Sequence, residues 1–452
     1  MALIVKKYLD CKEEHTMNYS TKVKQRLLSI VEEMNSYHWL FTKNPEKDFS
    51  RKKKWSFEEI VKFMLTMEGK SLRDELLEYF DFDNSTPSNS AFNQRRHQIL
   101  PEAFEFLFQE FTNSFSDNVT YKGLRLIACD GSDLCIAHNP NNKTTYFQPL
   151  PDSKGFNQLH LNAFYDLCSR RYVDAIIQPA RMENENKAMC GLIDRYHGPA
   201  AVFIADRGYE NYNMFAHAEQ KGMYYLIRVK DRTSNGIASN LALPEADEFD
   251  EWVTVTLTKK QTNEVKADSQ KYRIIMKKTP FDYLDLHVNK FYEMHMRVVR
   301  FPISEDSYEC IITNLPQELY ETNEIKKLYA RRWGIETPFR ELKYAIGLTR
   351  FHSKKTEYII QEIWSRLTLY NFCEIITAHV VVKTKDTHKH EYQLNYTRAI
   401  HICHYFLSLK EEKAPPDIEY LIGHELLPVR TGRSDPRKAK HQSTISFLYR
   451  AA

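Results

Sequence analysis

"YARRWGIETPFRELK", residues 329–343, sets three arginines, two glutamates and a lysine among bulky apolar groups. Wound as a helix at about 100° per residue from Tyr329, it puts Arg332 at about −60°, Glu336 at about −20° and Lys343 at about −40°. Four polar residues therefore share one narrow stripe. Leu328, Ile335, Phe339, Leu342 and Ile346 fall between about −80° and −140°, so the neighbouring stripe is the one a core would cover. Glu336 sits at the edge of that core, able to turn towards strand ends. A solvated amphipathic helix would carry the same pattern, so the stripe gains meaning only from what it can meet. Pro338 lies between Glu336 and Lys343 and predicts a kink, which loosens the angle assigned to Lys343.

Two acids provide what it could meet. Asp130 ends the apolar run "LRLIAC" and Asp206 ends "AVFIA", each followed within two residues by glycine ("DGS", "DRG"). Ligands of α/β sheets bind at the carboxyl ends of strands, although an aspartate there also simply starts a turn. Three carboxylates gathered together repel unless a cation neutralises them. Hard oxygen ligands suit Mg²⁺ or Mn²⁺, and two such ions about 3.5–4 Å apart serve phosphoryl transfer. Tyr329, Arg332 and Lys343 would offer phosphate oxygens a hydroxyl, a planar fork and a point charge.

The spacing Tyr-x2-Arg-x3-Glu-x6-Lys, met by Tyr329, Arg332, Glu336 and Lys343, resembles the signature of the insertion-sequence-four family of DDE transposases. A fixed-spacing match of four residues is expected by chance roughly once per 10⁵ start positions. The order Asp130, Asp206, Glu336 fits as well, and the resemblance covers about 119–380. It implies an α/β fold: an RNase H-like catalytic core with a β-rich insertion, preceded by an all-α N-terminal domain and followed by a helical and basic C-terminal region. It implies that Asp130, Asp206 and Glu336 are catalytic and bind two Mg²⁺ per site, with Mn²⁺ able to substitute. Tyr329, Arg332 and Lys343 would grip backbone phosphates, joined by Arg207 beside the second aspartate. The activity implied is cut-and-paste transposition. Water cuts at the element's end, and the freed 3′-hydroxyl attacks, through a hairpin in the studied branches, before joining target DNA. Partners would be double-stranded DNA, as terminal inverted repeats and target, and a second copy of the chain. A silent DNA-binding regulator, or an RNase H-like nuclease that never joins strands, would share the fold.

Outward from this stretch, the periodicity divides the chain of 452 residues. Helical text from about 20 predicts a DNA-binding helical domain over 1–118. Short β-branched runs alternating with helices predict the first segment of the core over 119–229, with both aspartates. Strand-like text over 230–318 predicts the insertion, which accounts for most of the 129 residues between Asp206 and Glu336. The core would resume over 319–380, with Glu336, and a helical region with a basic tail for DNA binding and dimerisation would span 381–452.

Net charge is only +3, with 42% hydrophobic and 27% charged residues, so local basic patches rather than the whole surface would hold a polyanion. Candidates are Arg95 and Arg96, early in a capped helix with Asn93, then Lys52, Lys53 and Lys54, and the tail's Arg430, Arg433, Arg437, Lys438 and Lys440. Trp252 and Phe291 are candidates for an aromatic wedge at a flipped base, or else sheet core. Eight scattered cysteines without a CxxC pair predict reduced thiols. His388, His390, His401, Cys403 and His404 lack a clean zinc spacing. No P-loop or dinucleotide fingerprint occurs, so no nucleotide cofactor is expected. Without an apolar run of 18 residues or a secretory leader, the reading is a cytoplasmic protein with no membrane association. The resemblance adds a bacterial, nucleoid-associated setting.

Overall fold

The computed structural model describes residues 18–51, 53–115, 119–268, 271–285, 287–305, 307–382, 391–410 and 414–429. In chain order the helices are α1 (Tyr19–Ser36), α2 (Phe57–Thr66), α3 (Leu72–Tyr79), α4 (Asn89–Arg96), α5 (Pro101–Asn113), α6 (Glu185–Arg195), α7 (Tyr212–Gln220), α8 (Asn263–Ala267), α9 (Thr322–Ala330), α10 (Glu336–Tyr344), α11 (Thr356–Thr377), α12 (Tyr396–Ser408) and α13 (Ile418–His424). The strands are β1 (Arg125–Ile136), β2 (Tyr146–Phe147), β3 (Phe156–Asp166), β4 (Arg171–Pro179), β5 (Ala201–Ala205), β6 (Tyr224–Val229), β7 (Phe249–Thr258), β8 (Tyr272–Ile274), β9 (Tyr292–Ser304), β10 (Ser307–Thr313), β11 (Tyr392–Leu394) and β12 (Leu426–Pro428). Two compact units result, one of residues 1–116, 134–159 and 338–452, the other of 117–133 and 160–337.

The second unit is built on a mixed sheet of order β3–β1–β5–β6–β10–β9–β7–β8, with β4 on the far side of β3. At its centre β1, β5 and β6 run parallel. Strand β5 shows why the sequence there is apolar throughout: Ala201, Phe203 and Ala205 enter one core, Val202 and Ile204 the other. A strand covered on both faces needs no polar alternation. One face packs Met189 and Leu192 of α6 and Phe215 of α7; the other packs Ile325, Leu328 and Tyr329 of α9. Helices on both faces of a sheet ordered β4–β3–β1–β5–β6 make an RNase H-like core. Beyond it, the strands of 230–318 do not form a sheet of their own. Antiparallel pairing of β10 with β6, Cys310 opposite Val229 through Thr313 opposite Leu226, continues the core sheet into β9 and β7.

In the first unit the N-terminal helices share one body with α11, buried along almost its whole length. Its polar residues are paired there: Gln361 donates to the Ile99 carbonyl, and Asn371 donates to Thr112 Oγ1. Ser56, Ser71 and Ser88 cap these helices, each accepting a backbone N–H in the first turn of α2, α3 and α4. No helix among the described residues is long and apolar enough to cross a membrane.

Candidate active site

The parallel register of β1 and β5 pairs Leu126 with Val202 and Ala128 with Ile204. Continued two residues further, it sets Asp130 beside Asp206, on adjacent chains roughly 4.8 Å apart. Each aspartate turns one oxygen back to the chain. Asp130 Oδ1 accepts from the Gly131 N–H at 2.9 Å, and Asp206 Oδ1 from the Gly208 N–H at 2.8 Å. Burial pushes the Asp130 carboxyl up to about 6 against the Gly131 N–H and Arg332, and the charges of Asp206 and Glu185 push the same way.

The 329–343 stretch is not one helix. After α9, residues Arg331–Ile335 form a 3₁₀ segment before α10 begins at Glu336. The tighter winding of about three residues per turn splits the expected stripe. Tyr329 and Arg332 are buried, whereas Glu336 is exposed. Pro338 falls in the first turn of α10, where its missing N–H costs no helical hydrogen bond, so the break precedes the proline. Arg332 stacks over the Trp333 ring at 4.2 Å, and its Nη1 lies 4.0 Å from Asp130 Oδ2. Arg332 Nε and the Tyr329 hydroxyl are buried without a hydrogen-bond partner. Orphaned donors beside carboxylates fit a missing polyanion. Asp130 and Asp206, hard oxygen donors in excess over nearby positive charge, fit a divalent cation.

Sequence reasoning missed Glu185, at the first position of α6. Its Oε1 lies 3.3 Å from His160 Nε2, and His160 Nδ1 lies 2.8 Å from Asp133 Oδ1 and 3.4 Å from Glu183 Oε2. Burial alone would lower the His160 pKa, but Asp133, Glu185 and Glu183 outweigh it and raise it to about 9. His160 is therefore enclosed by carboxylates, and its ligand atoms and those of Asp133 and Glu183 lie within 4.8 Å of one another. An acid opening the helix a few residues after β4 was the available signal.

The other expected residues are placed as follows. Arg207 is exposed in the turn after Asp206, and Lys343, half-buried, belongs to the first unit. Arg95 and Arg96, expected to face DNA, are buried instead. Arg95 donates to the Trp55 carbonyl and Gln98, and Arg96, fully enclosed, donates to Gln361, Glu362 and the Tyr358 carbonyl. Their donors are spent on protein acceptors, so they are withdrawn as DNA contacts. Trp252 and Phe291 are each 46% exposed rather than sheet core. Lys53 and Lys54 are exposed, and Lys54 bonds Ser85. His404 Nε2 bonds the Thr66 carbonyl. Lys52, His388, His390, Arg430, Arg433, Arg437, Lys438 and Lys440 lie outside the described residues.

Residues 121–372 match the model of a known family, the transposase DDE domain. The chain belongs to that family, and its relatives place it among DDE transposases of the insertion-sequence-four kind. It is 21% identical over 322 residues to the transposase for insertion sequence element IS231E of Bacillus thuringiensis subsp. finitimus, and 22% identical over 313 residues to that for IS231F of Bacillus thuringiensis subsp. israelensis. Each alignment covers 63% of this chain and 64% of the relative, so the chain spans under two thirds of their length. Among solved structures, a piggyBac transposase synaptic complex with hairpin DNA aligns over 94% of this chain and 89% of its own at 11% identity. Its TM-score is 0.46, too loose a likeness to carry a functional argument.

Proposed function

We propose that this chain is a cut-and-paste DNA transposase whose centre is Asp130, Asp206 and Glu336. The observation that carries the proposal is the parallel register that sets Asp130 beside Asp206, with Arg332 against the pair, inside a transposase DDE domain. The chemistry is phosphoryl transfer. Oxygen of water bonds to a phosphorus at the element's end as the bond to the 3′ oxygen breaks, and the freed 3′-hydroxyl then attacks a second phosphodiester, in a hairpin or in target DNA, displacing that linkage's own 3′ oxygen as a new 3′-hydroxyl. Two Mg²⁺ or Mn²⁺ ions held by the three carboxylates would activate the attacking oxygen and stabilise the leaving one. The chain's own role is to hold the phosphate. Arg332 presents a planar guanidinium stacked over Trp333, Tyr329 offers its unpaired hydroxyl, and Arg207 and Lys343 supply charge around the duplex. The signature role of Tyr329, Arg332, Glu336 and Lys343, the division into 1–118, 119–229, 230–318, 319–380 and 381–452, a homodimeric active complex and a nucleoid-associated setting in bacteria belong to the same proposal.

The test is incubation of the full chain with a labelled duplex carrying the DNA that flanks its own gene, in Mg²⁺ and in EDTA. Nicks at a defined end that need the metal, followed by hairpin or joined products, are expected. Specific binding without cleavage in Mg²⁺ or Mn²⁺ would make the chain a regulator, and cleavage without joining would make it a nuclease.

A further inference from the structure

Glu185 occupies a place that no residue of the sequence motif fills. The start of α6 is pinned at the end of β4: Gln178 Oε1 accepts from both the Asn184 N–H at 3.1 Å and Asn162 Nδ2 at 3.2 Å, and the Asn184 side chain caps the Lys187 N–H at 2.9 Å. From that fixed start the Glu185 carboxylate reaches over both the Asp130–Gly131 stretch of β1 and the turn after Asp206. A methyl carbon on Gly131, just after Asp130, would lie 2.7 Å from Glu185 Oε1 and collide with the His160 ring. One on Gly208, two residues after Asp206, would lie 3.4 Å from Glu185 Oε2 and 3.0 Å from Asp206 Oδ1. The two glycines that follow the aspartates are thus the points where the two oxygens of a third carboxylate come down. His160, 6% exposed and held by Asp133, braces that carboxylate from behind.

We propose that Glu185 is a further acidic ligand of the divalent cation at Asp130 and Asp206, directly or through one water, and that His160 is its positioning residue. This rests on the reading of the aspartate pair as a cation site. It makes that site three carboxylates from three separate chain segments, with Glu185 joining the two aspartates from the α6 side. An acid placed only to favour the start of α6 would need no glycine beneath each oxygen.

The test uses the full chain without DNA. Mn²⁺ binding is followed by loss of the free-ion paramagnetic resonance signal, and thermal unfolding is followed in EDTA. Glu185→Gln should weaken Mn²⁺ binding about tenfold or more while leaving the EDTA midpoint unchanged or higher, because one of several crowded negative charges is gone. Asp206→Asn should weaken binding at least as far. His160→Gln should fall between wild type and Glu185→Gln. Wild-type Mn²⁺ affinity in Glu185→Gln alongside a loss in Asp206→Asn overturns this inference and leaves the aspartate site standing; unaltered affinity in both removes the site itself. Should Glu185→Gln not fold, Glu185→Asp takes its place, with a severalfold weakening expected and wild-type affinity overturning the proposal.

Discussion

Two acidic clusters, a buried one in the helical unit and a half-buried one in the sheet unit, are treated in opposite ways. In the helical unit Glu75 and Glu362 flank His352, whose Nε2 lies 3.0 Å from Glu75 and Nδ1 3.2 Å from Glu362, while Arg96 reaches Glu362 at 3.0 Å. Burial would raise the Glu362 carboxyl, yet Arg96 and His352 outweigh it and hold it at about 2. In the sheet unit Asp130, Asp206 and Glu185 share Arg332, 4.0 Å from Asp130, and the braced His160, and Asp130 is pushed up to about 6. The first cluster is matched by cations and closed, so it serves folding. The second keeps a surplus of negative charge and a side-chain exposure of 30% at Asp130, so it has both a reason and a route to take up a cation.

That contrast can be broken by experiment. The largest effect should come from Asp206→Asn, which lowers strand cleavage by on the order of 10³-fold or more with end binding nearly intact; cleavage and gel-shift assays read both, and full activity would end the assignment. Next, Glu362→Leu strands Arg96 and His352 in the interior and should cost about 3–5 kcal/mol, read from the helical unit's urea transition. An unchanged midpoint would show that the closed cluster carries no folding role.

The pH response is somewhat smaller. Burial opposes protonation of His352, but Glu362 and Glu75 prevail and raise its pKa from 6.5 to about 9. Its contribution is complete below about 6.5 and is lost as pH rises through 9, up to about 3 kcal/mol. Glu362 works in reverse, contributing above its ordinary 4.5 and losing that as pH falls towards 2. The helical unit should therefore be most stable between about pH 4.5 and 6.5 and weaken towards 9, and His352→Gln should flatten the alkaline limb in urea titrations. The smallest effect has the opposite sign. Asp130→Asn relieves repulsion and should raise the unfolding midpoint in EDTA by about 1–3 °C, while a fall would show that the sheet unit's acids are already balanced.

Asp130 and Asp206 were legible because each closes a run of apolar residues, and a central parallel strand must be apolar on both faces. Glu185 was not, because "ENENK" reads as an ordinary polar helix start, and its meaning depends on two glycines at 131 and 208. Arg95 and Arg96 misled for the matching reason. A basic pair early in a helix reads as surface, yet the acceptor that buries Arg96, Gln361, stands 265 positions away.

By itself, then, the sequence determined the periodicities, the apolar runs that lead into the aspartates and the spacing of Tyr329, Arg332, Glu336 and Lys343, whereas β1 continues through Asp130 to Ile136 instead of ending there. Those follow from local geometry, in which neighbours within a few residues decide what repeats. Only the tertiary structure decided which charges are matched, which are left in surplus and where the 329–343 stretch changes its winding. Desolvation and Coulomb energy depend on what packs against a group, and those neighbours arrive from anywhere in the chain.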